Sequence, residues 1–585
     1  MPLFPPPKTA PRADWKPKTR VSPADELIAR QAGVSPVAAA LLRNRGHVDL
    51  DSIHAFFYPE PTILRDAARL PDIGKAVARL IEAIENRQKI LIFGDYDADG
   101  VTSTALLIRS LRLLGADVHW RLPERHEGYG LSDEVVQTAK NDGFDLLMSA
   151  DCGITAVEQA QLARQIGLDL IITDHHEPSQ TLPECIAVVN PKRADSTYGF
   201  SGLSGCGVAF KVMQALIGAH KPKILDSFSE KYLDLVALST IADCVPLCDE
   251  NRYLASQGLK VLYSTKKKGL RALITSANAN LDKKRDKGFF IGRDVSWGLA
   301  PRLNAAGRLA SPKFALELLL CDDEEEAARR AAHLNEINSQ RKGDQESSLK
   351  GAIEMVRRET DLDADLLIVA AHPAWHRGIV GLIAGKLVEK FHRPAFAFNI
   401  HDGIAHGSGR SMGGFDLHAM LQAVSPQIEG MKGGGHAAAC GLSLPASKIE
   451  DFRARALEYA ADFLTMDDLK PTLCPDCELR GRHLDFELTR ELLLLEPCGT
   501  DNEEPQFLLR GATVEATRAF GGGAHLELTL RDDNKKLRAI WWRMGERLKD
   551  FRAGDTVELI FVPKPDDYNG QGAIQLVIED LRLVE

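Results

Sequence analysis

Asp95, Asp97 and Asp99 crowd into the hexapeptide DYDADG, directly after the apolar run KILIF. Asp151 follows a second apolar run, FDLLMSA, and Asp174, His175 and His176 follow a third, LDLIIT. The segments between them, such as TSTALLIRSLRLLG and AVEQAQLARQIG, repeat their apolar residues with helical spacing. Short apolar runs alternating with helical patterns predict a parallel, doubly wound sheet. Ligands of such a sheet bind beyond the carboxyl ends of its strands, so the three clusters are expected to converge. Converging carboxylates repel one another unless a cation neutralises them. Carboxylate oxygens with imidazole and no well-placed thiolate suit Mn²⁺ or Mg²⁺ better than zinc. Two such ions side by side promote in-line displacement at phosphorus. Any one of these aspartates would pass as a helix cap. DYDADG also looks like part of a calcium loop, but the later bidentate Glu is missing and a strand precedes it. Three acidic strand ends, one carrying paired histidines, exceed what capping explains.

The elements needed to position these groups are legible along the chain. Residues 1–25 are Pro-rich and basic without the apolar core of a signal peptide, and read as a flexible leader. Residues 26–75 read as helical, and 76–323 as the α/β lobe that carries the acidic clusters. A long charged helix is expected over 324–360, followed by a second α/β lobe over 361–470. Residues 471–585 read as a linker and a β-barrel, with five strands and a short helix between the third and fourth. That order is the OB-fold pattern.

Three other groups of residues offer chemistry. GSGRS (407–411) and GGGHAAACG (433–441) expose backbone N–H groups and small side chains, and Ser408 and Arg410 add donors suited to phosphate. Arg302 and Arg308 flank Asn304 in APRLNAAGRLASP (300–312), read as a loop whose bland alternative is a surface ion pair. Trp541 and Trp542 are adjacent on a barrel strand, so one should enter the core while the other is available to stack on a base. Cys474 and Cys477 form a lone CxxC with no second pair to complete a zinc site.

Composition narrows the class. The chain has 585 residues, 44% hydrophobic and 26% charged, enough for several packed domains. No apolar run reaches a membrane span of roughly 18 residues. Ten scattered cysteines suit a reduced, cytoplasmic setting. A net charge of −10 argues against nucleic acid only if charge is spread evenly. Basic residues cluster at 266–271 and 283–293, acidic ones at 322–326 and 361–365.

DYDADG, SADCG and TDHH resemble the first three motifs of the DHH phosphoesterase superfamily, and IADCVPL (241–247) resembles the fourth. Further segments resemble the RecJ family of exonucleases within it: LLRNRGHVDLDSIHAFFYP, APRLNAAGRLASP, WHRGIVGLIAGKL, GSGRS, GGGHAAACG and LLLLEPCGTDNEEP. The resemblance runs from about residue 25 to the end, and it identifies 76–323 as a DHH catalytic domain and 361–470 as a DHHA1-type substrate-binding domain. It implies that Asp97 and Asp99 each bind one metal, that Asp151 bridges both, and that His175 and Asp243 complete the two sites. It further implies that Asp95 sits beside the metals, that His176 faces the reacting phosphate, and that Arg302, Asn304, Arg308, Ser408, Arg410, Gly434, Gly435 and His436 contact DNA. Two positions before Asp95, where some superfamily members have a histidine ligand, this chain has Phe93, and Cys498 stands where Phe is common.

What the resemblance implies is a 5′-to-3′ exonuclease specific for single-stranded DNA. It would release 5′-mononucleotides with two Mn²⁺ or Mg²⁺ ions, the strand held between the two α/β lobes. It would act as a cytoplasmic monomer in recombination and repair, beside a single-strand-binding protein and a helicase. The rival readings are a DHH-type phosphodiesterase for short oligonucleotides or cyclic dinucleotides, and a replication scaffold that has lost its metal ligands.

Overall fold

The computed structural model describes residues 13–128, 130–277, 290–566, 570 and 572–584. The first half of the expected leader and most of the basic stretch 283–293 lie outside the described residues. The chain divides into two compact units, one of residues 54–341 with 495–503, the other of residues 1–53, 342–494 and 504–585.

The first unit is built on a five-stranded, all-parallel sheet. Its order is Asp117–Arg121, Lys89–Gly94, Leu146–Ala150, Asp169–Thr173, Ala187–Val189. Alternation along each strand sends side chains to two cores. Ile90, Ile92, Leu146, Met148 and Ile171 pack on one face with Val101, Ala105 and Leu238. Leu91, Phe93, Leu147, Leu170 and Ile172 pack on the other with Val135, Val136, Ala160 and Ala163. The chain passes from Lys89–Gly94 to the edge strand Asp117–Arg121, then back across to Leu146–Ala150. That reversal is the switch point where open α/β sheets bind ligands.

The second half of this unit is helical: Gly205–His220, Leu233–Ala242, Asp249–Tyr263, Lys268–Ala277, Ala300–Leu309 and Lys313–Leu320. Residues 300–309, expected as a loop, are therefore a helix, preceded by a π-helical segment at Asp294–Leu299. Pro301 stands in the first turn, where its missing N–H is harmless, and the Ala- and Leu-rich remainder favours helix. Residues 495–503, expected in the linker, belong to this unit instead. Arg252 donates to the carbonyls of Leu495 (3.1 Å) and Phe56 (2.7 Å), and Leu247 N–H donates to Thr500 O (2.8 Å).

The expected long helix runs Glu324–Glu359, and the division between the units falls within it. The second unit holds a mixed sheet in the order Lys432–Gly435, Ala439–Pro445, Ile404–Arg410, Ala395–His401, Ile368–His372. Only the last pair is parallel. Phe396, Phe398, Leu442 and Leu444 turn onto Leu417, Leu421 and Phe452. The barrel strands are Phe507–Phe520, His525–Asp532, Lys535–Trp541, Thr556–Pro565 and Ile574–Leu583, closed by pairing of the first with the fourth. A short helix, Gly545–Asp550, separates the third and fourth, as the OB pattern requires.

The described part of the leader is ordered, which corrects the flexible reading from residue 13 onward. Asp14–Trp15 pairs in parallel with Thr472–Leu473. Trp15 is buried, donates from Nε1 to Asp580 Oδ2 at 2.9 Å, and lies under the Arg582 guanidinium. The helices Pro23–Ala32 and Pro36–Asn44 join the same unit, since Ser35 donates to the Glu491 carboxylate and Asn44 Nδ2 donates to Asp476 O at 3.0 Å. Sequence-distant partners such as these leave no local signal.

Candidate metal centre

Three adjacent strands of the parallel sheet, Lys89–Gly94, Leu146–Ala150 and Asp169–Thr173, end immediately before Asp95, Asp151 and Asp174. The convergence expected from sequence is found at the switch point. Asp97 caps the helix Ala98–Leu114, its carboxylate accepting from the N–H groups of Asp99 (2.9 Å) and Gly100 (3.0 Å). The capping reading of this aspartate is seen directly and is compatible with the metal-site reading, because the cap fixes the loop that presents the others. Gly100 is required by close approach: a Cβ there would come within 2.6 Å of Asp95 Cα. Asp151 adopts a left-handed backbone at φ 64°, a conformation aspartate tolerates better than most residues.

Three overlapping groups bring ligand atoms within 4.8 Å of one another: Asp95, Asp97 and Asp151; Asp99, His175 and Asp243; Asp151, His175 and His176. His175 Nε2 lies 3.2 Å from Asp151 Oδ1, 3.5 Å from Asp243 Oδ2 and 3.7 Å from Asp99 Oδ2. Asp243 arrives from a helix instead of a strand, at the C-terminal end of Leu233–Ala242.

Asp174 acts behind the histidines. It accepts from the N–H groups of Ile154 (2.9 Å), His175 (2.7 Å) and His176 (3.0 Å), and pairs with His176 Nδ1 at 2.7 Å. That pairing turns Nε2 of the imidazole outward. Burial alone would pull His176 down, but the hydrogen bond and charge of Asp174 outweigh it and raise the imidazole to about 9. Burial would likewise lift Asp174, yet its bonds to His176 and the backbone hold it below the ordinary carboxylate range.

Asp99 meets a helix N-terminus. Its carboxylate accepts from Gly205 N–H (2.7 Å), Cys206 N–H (2.9 Å) and Ser239 Oγ (2.6 Å). The helix Gly205–His220 so offsets part of the cluster's negative charge. Gly205 has no room for a side chain, as a Cβ would fall 2.5 Å from Asp151 Oδ1. Ser204, Gly205 and Ser239 were not singled out from sequence. The signal available was Ser204 before an apolar helical run, an N-cap signature, and the structure confirms that cap.

The residues fit a divalent cation. Asp95, Asp99, Asp151 and His175 are all buried. Burial, and after it the charge of neighbouring carboxylates, raises Asp95, Asp97 and Asp151 above the ordinary range and Asp243 to about 8. Asp95 Oδ1 and His175 Nε2 are buried without a hydrogen bond. Such groups call for a cation to compensate them. The donors are oxygen and imidazole nitrogen, as Mn²⁺ and Mg²⁺ prefer. The thiol of Cys152, next to Asp151, points back toward Phe93 O instead. Phe93 itself is buried in the core on the far face of the sheet and supplies no ligand.

The expected DNA contacts fare unevenly. Asn304 lies at the loop that carries Asp97 and Asp99, its Oδ1 accepting from Ala98 N–H at 2.7 Å. Arg302 is turned inward: it is buried and donates to Asn335 Oδ1 (3.0 Å) and to the carbonyls of Gly298 and Ala277. Helical winding explains this inward turn, since it puts Arg302 and Asn304 on different faces where a loop would have left both open. Arg308 is half-buried near Tyr96. In the second unit, strand register aligns Ser408, Gly441 and Gly434 in one row, and a Cβ on either glycine would meet nothing within 4 Å. Ser408 and Arg410 border this open floor beside Gly381, near the start of the helix Val380–Phe391. Gly435, with φ 148°, turns the chain toward the exposed His436.

Residues 89–240 match the DHH family N-terminal domain, 364–462 the DHHA1 domain and 475–580 the RecJ OB domain. The single-stranded-DNA-specific exonuclease RecJ of Bacillus subtilis is 35% identical over 562 residues, covering 95% of this chain and 69% of that protein. The protein of the same name from Escherichia coli is 34% identical, covering 88% of this chain and 90% of its own length. Among solved structures, RecJ of Thermus thermophilus in complex with Mn²⁺ superposes with a TM-score of 0.82 at 31% identity, covering 98% of this chain and 80% of that one. Its complex with Mg²⁺ gives a TM-score of 0.76 at 30% identity, covering 98% and 79%. With this identity maintained across all three domains and nearly the full chain, the protein belongs to the RecJ family.

Proposed function

We propose that this protein is an exonuclease that hydrolyses single-stranded DNA from its 5′ end and releases 5′-mononucleotides. The observation that carries the reading is the cluster of buried Asp95, Asp99, Asp151 and His175 with half-buried Asp97 and Asp243 at the sheet's switch point. Asp97, Asp99, Asp151, His175 and Asp243 would hold two Mn²⁺ or Mg²⁺ ions. Ions held there would supply the chemistry of lowering the pKa of an attacking water and neutralising charge on the phosphodiester.

The chain's own residues do the rest. His176, raised to about 9 and steered by Asp174, offers a charged N–H to a phosphate oxygen near neutral pH. Asp95 keeps a carboxylate oxygen directed at the cluster. Asn304 and the helix N-terminus at Gly205 hold Asp97, Asp99 and their loop in register. Ser408, Arg410 and His436 bind the DNA backbone around the open floor at Gly434, with Gly435 making the turn beside it. The barrel grips the strand through Trp542, which is 36% exposed and meets Phe520 and His525 edge-on, while Trp541 enters the core.

The enzyme works as a cytoplasmic monomer in recombination and repair, on strands freed by a helicase or covered by a single-strand-binding protein. A phosphodiesterase for oligonucleotides or cyclic dinucleotides would leave the barrel and the N-terminal helices without a role. The test is digestion of a long single strand labelled at either end, with and without Mn²⁺. Mononucleotides released first from the 5′ label support the reading. Turnover confined to dinucleotides refutes it.

A further inference from the structure

We propose that Trp297 is a base-stacking residue of the catalytic unit, holding the single strand a few nucleotides from the metal loop. The inference rests on the nuclease reading above and deepens it.

Residues 293–309 read RDVSWGLAPRLNAAGRL. Val295, Leu299, Ala300 and Leu303 are buried and anchor the segment in the core. Trp297 is not: it is 58% exposed, among the most exposed large apolar side chains described. Isolated surface apolar residues are common and mean little alone. Three further features set this one apart. It sits within the π-helical segment Asp294–Leu299, a winding that recurs at functional sites. The Arg293 guanidinium lies 5.8 Å from the centre of its ring, a cation beside a π-face. And its helix leads to the metals.

That last feature is geometric. Beyond Trp297, Pro301, Asn304 and Arg308 form a half-exposed stripe among buried neighbours. Asn304 holds Ala98 N–H, between Asp97 and Asp99. Gly307 presses on the same loop, since a Cβ there would lie 2.5 Å from Tyr96 O. The helix is thus clamped to the metal loop at one end and carries an open indole near the other. Seven residues separate Trp297 from Asn304, about 10 Å along a helix. Stacked bases rise about 3.4 Å each, so about three nucleotides fill that distance. Arg293 and Arg308 supply positive charge at the two ends of the track. An indole beside a guanidinium, offered to a strand whose bases are unpaired, is the chemistry of single-strand platforms.

The test uses the full-length protein with Mn²⁺. On an oligothymidylate, W297A should raise KM roughly 5- to 100-fold, the range for losing one base–aromatic stack, with little change in kcat. W297F keeps a ring and should restore most of the loss. An abasic nucleotide walked along the substrate gives an independent readout. In the wild type one or two positions near the cut end should raise KM, and in W297A those positions should have no further effect. An unchanged KM for W297A overturns the proposal, as does an abasic penalty that persists in that variant. The walk on wild-type enzyme needs no substitution, so a flat profile overturns it even if W297A fails to fold. A wild-type enzyme inert on single strands would instead overturn the nuclease reading, and this inference with it.

Discussion

Asn304 Oδ1 accepts the backbone N–H of Ala98 at 2.7 Å, tying a helix of the catalytic unit to the loop that carries Asp97 and Asp99. Ala98 opens its own helix, so its N–H has no partner within that helix. Asn304 therefore satisfies a donor that would otherwise be left bare, and in doing so sets the position of the loop that carries the two aspartates.

The first prediction follows from that bond. N304A should raise the Mn²⁺ concentration needed for half-maximal activity and lower kcat by about 10- to 100-fold, the range for losing an outer-shell partner of a metal site. KM for DNA should stay within a few-fold. A metal titration compared with a DNA titration checks this. A change confined to KM would show that Asn304 touches substrate instead.

Asp151→Ala should abolish cutting while leaving single-strand binding intact. Asp151 belongs to two of the three ligand groups, so its removal disturbs the whole cluster. The loss of kcat should exceed about 10³-fold, as for deletion of a preorganised electrostatic group. A variant retaining a tenth of wild-type activity would sink the metal assignment.

The metal-free protein should lose stability between pH 7 and 9. Burial and then the charge of Asp99 raise Asp243 to about 8, far above its unfolded value, and against the pull of burial the bond to Asp174 raises His176 to about 9. A group raised on folding stabilises below its unfolded pKa and gives up that contribution as pH climbs through the folded one. Both groups therefore act with the same sign in this window. A divalent cation removes the carboxylate part of the penalty, so the gap in Tm between Mn²⁺-loaded and EDTA-treated protein should widen from pH 7 to 9. Calorimetry at three pH values decides it, and a constant or shrinking gap refutes it.

Trp542→Ala should weaken binding of long strands more than short ones, raising KM roughly 5-fold or more on a long strand through loss of one stacking surface. The point substitution is preferable to deleting 505–585. That deletion would strip Cys477–Glu478 of its partner strand and Trp15 of Asp580. If KM on a long strand is unchanged while the barrel melts normally, the Trp542 surface is not a DNA grip.

How far the sequence carried these conclusions differs by residue. Asp95, Asp151 and Asp174 were legible because strand ends and apolar runs are local signals. Asp243 sits on a helix end, so no strand rule pointed to it, and only resemblance to a motif did. Arg302 shows the reverse case: its motif was recognised, but a motif carries identity and not orientation, and a helix turned it inward. Ser239 and Gly205 reach Asp99 across more than 100 residues, contacts that no local pattern encodes. The apolar stretches between residues 205 and 320 form helices.

The bond from Trp15 to Asp580 spans 565 positions, and the strand containing Trp15 pairs with residues 472–473. During synthesis, residues 54–341 leave the ribosome long before residue 580 exists, and they can collapse around their parallel sheet. Residues 13–53 cannot complete their own unit until Asp580 has been made. At about 5–20 residues per second, Trp15 waits roughly half a minute to two minutes for Asp580 to be made. A nascent chain halted before residue 574 would therefore hold a formed metal centre and an N-terminal segment still open to proteases.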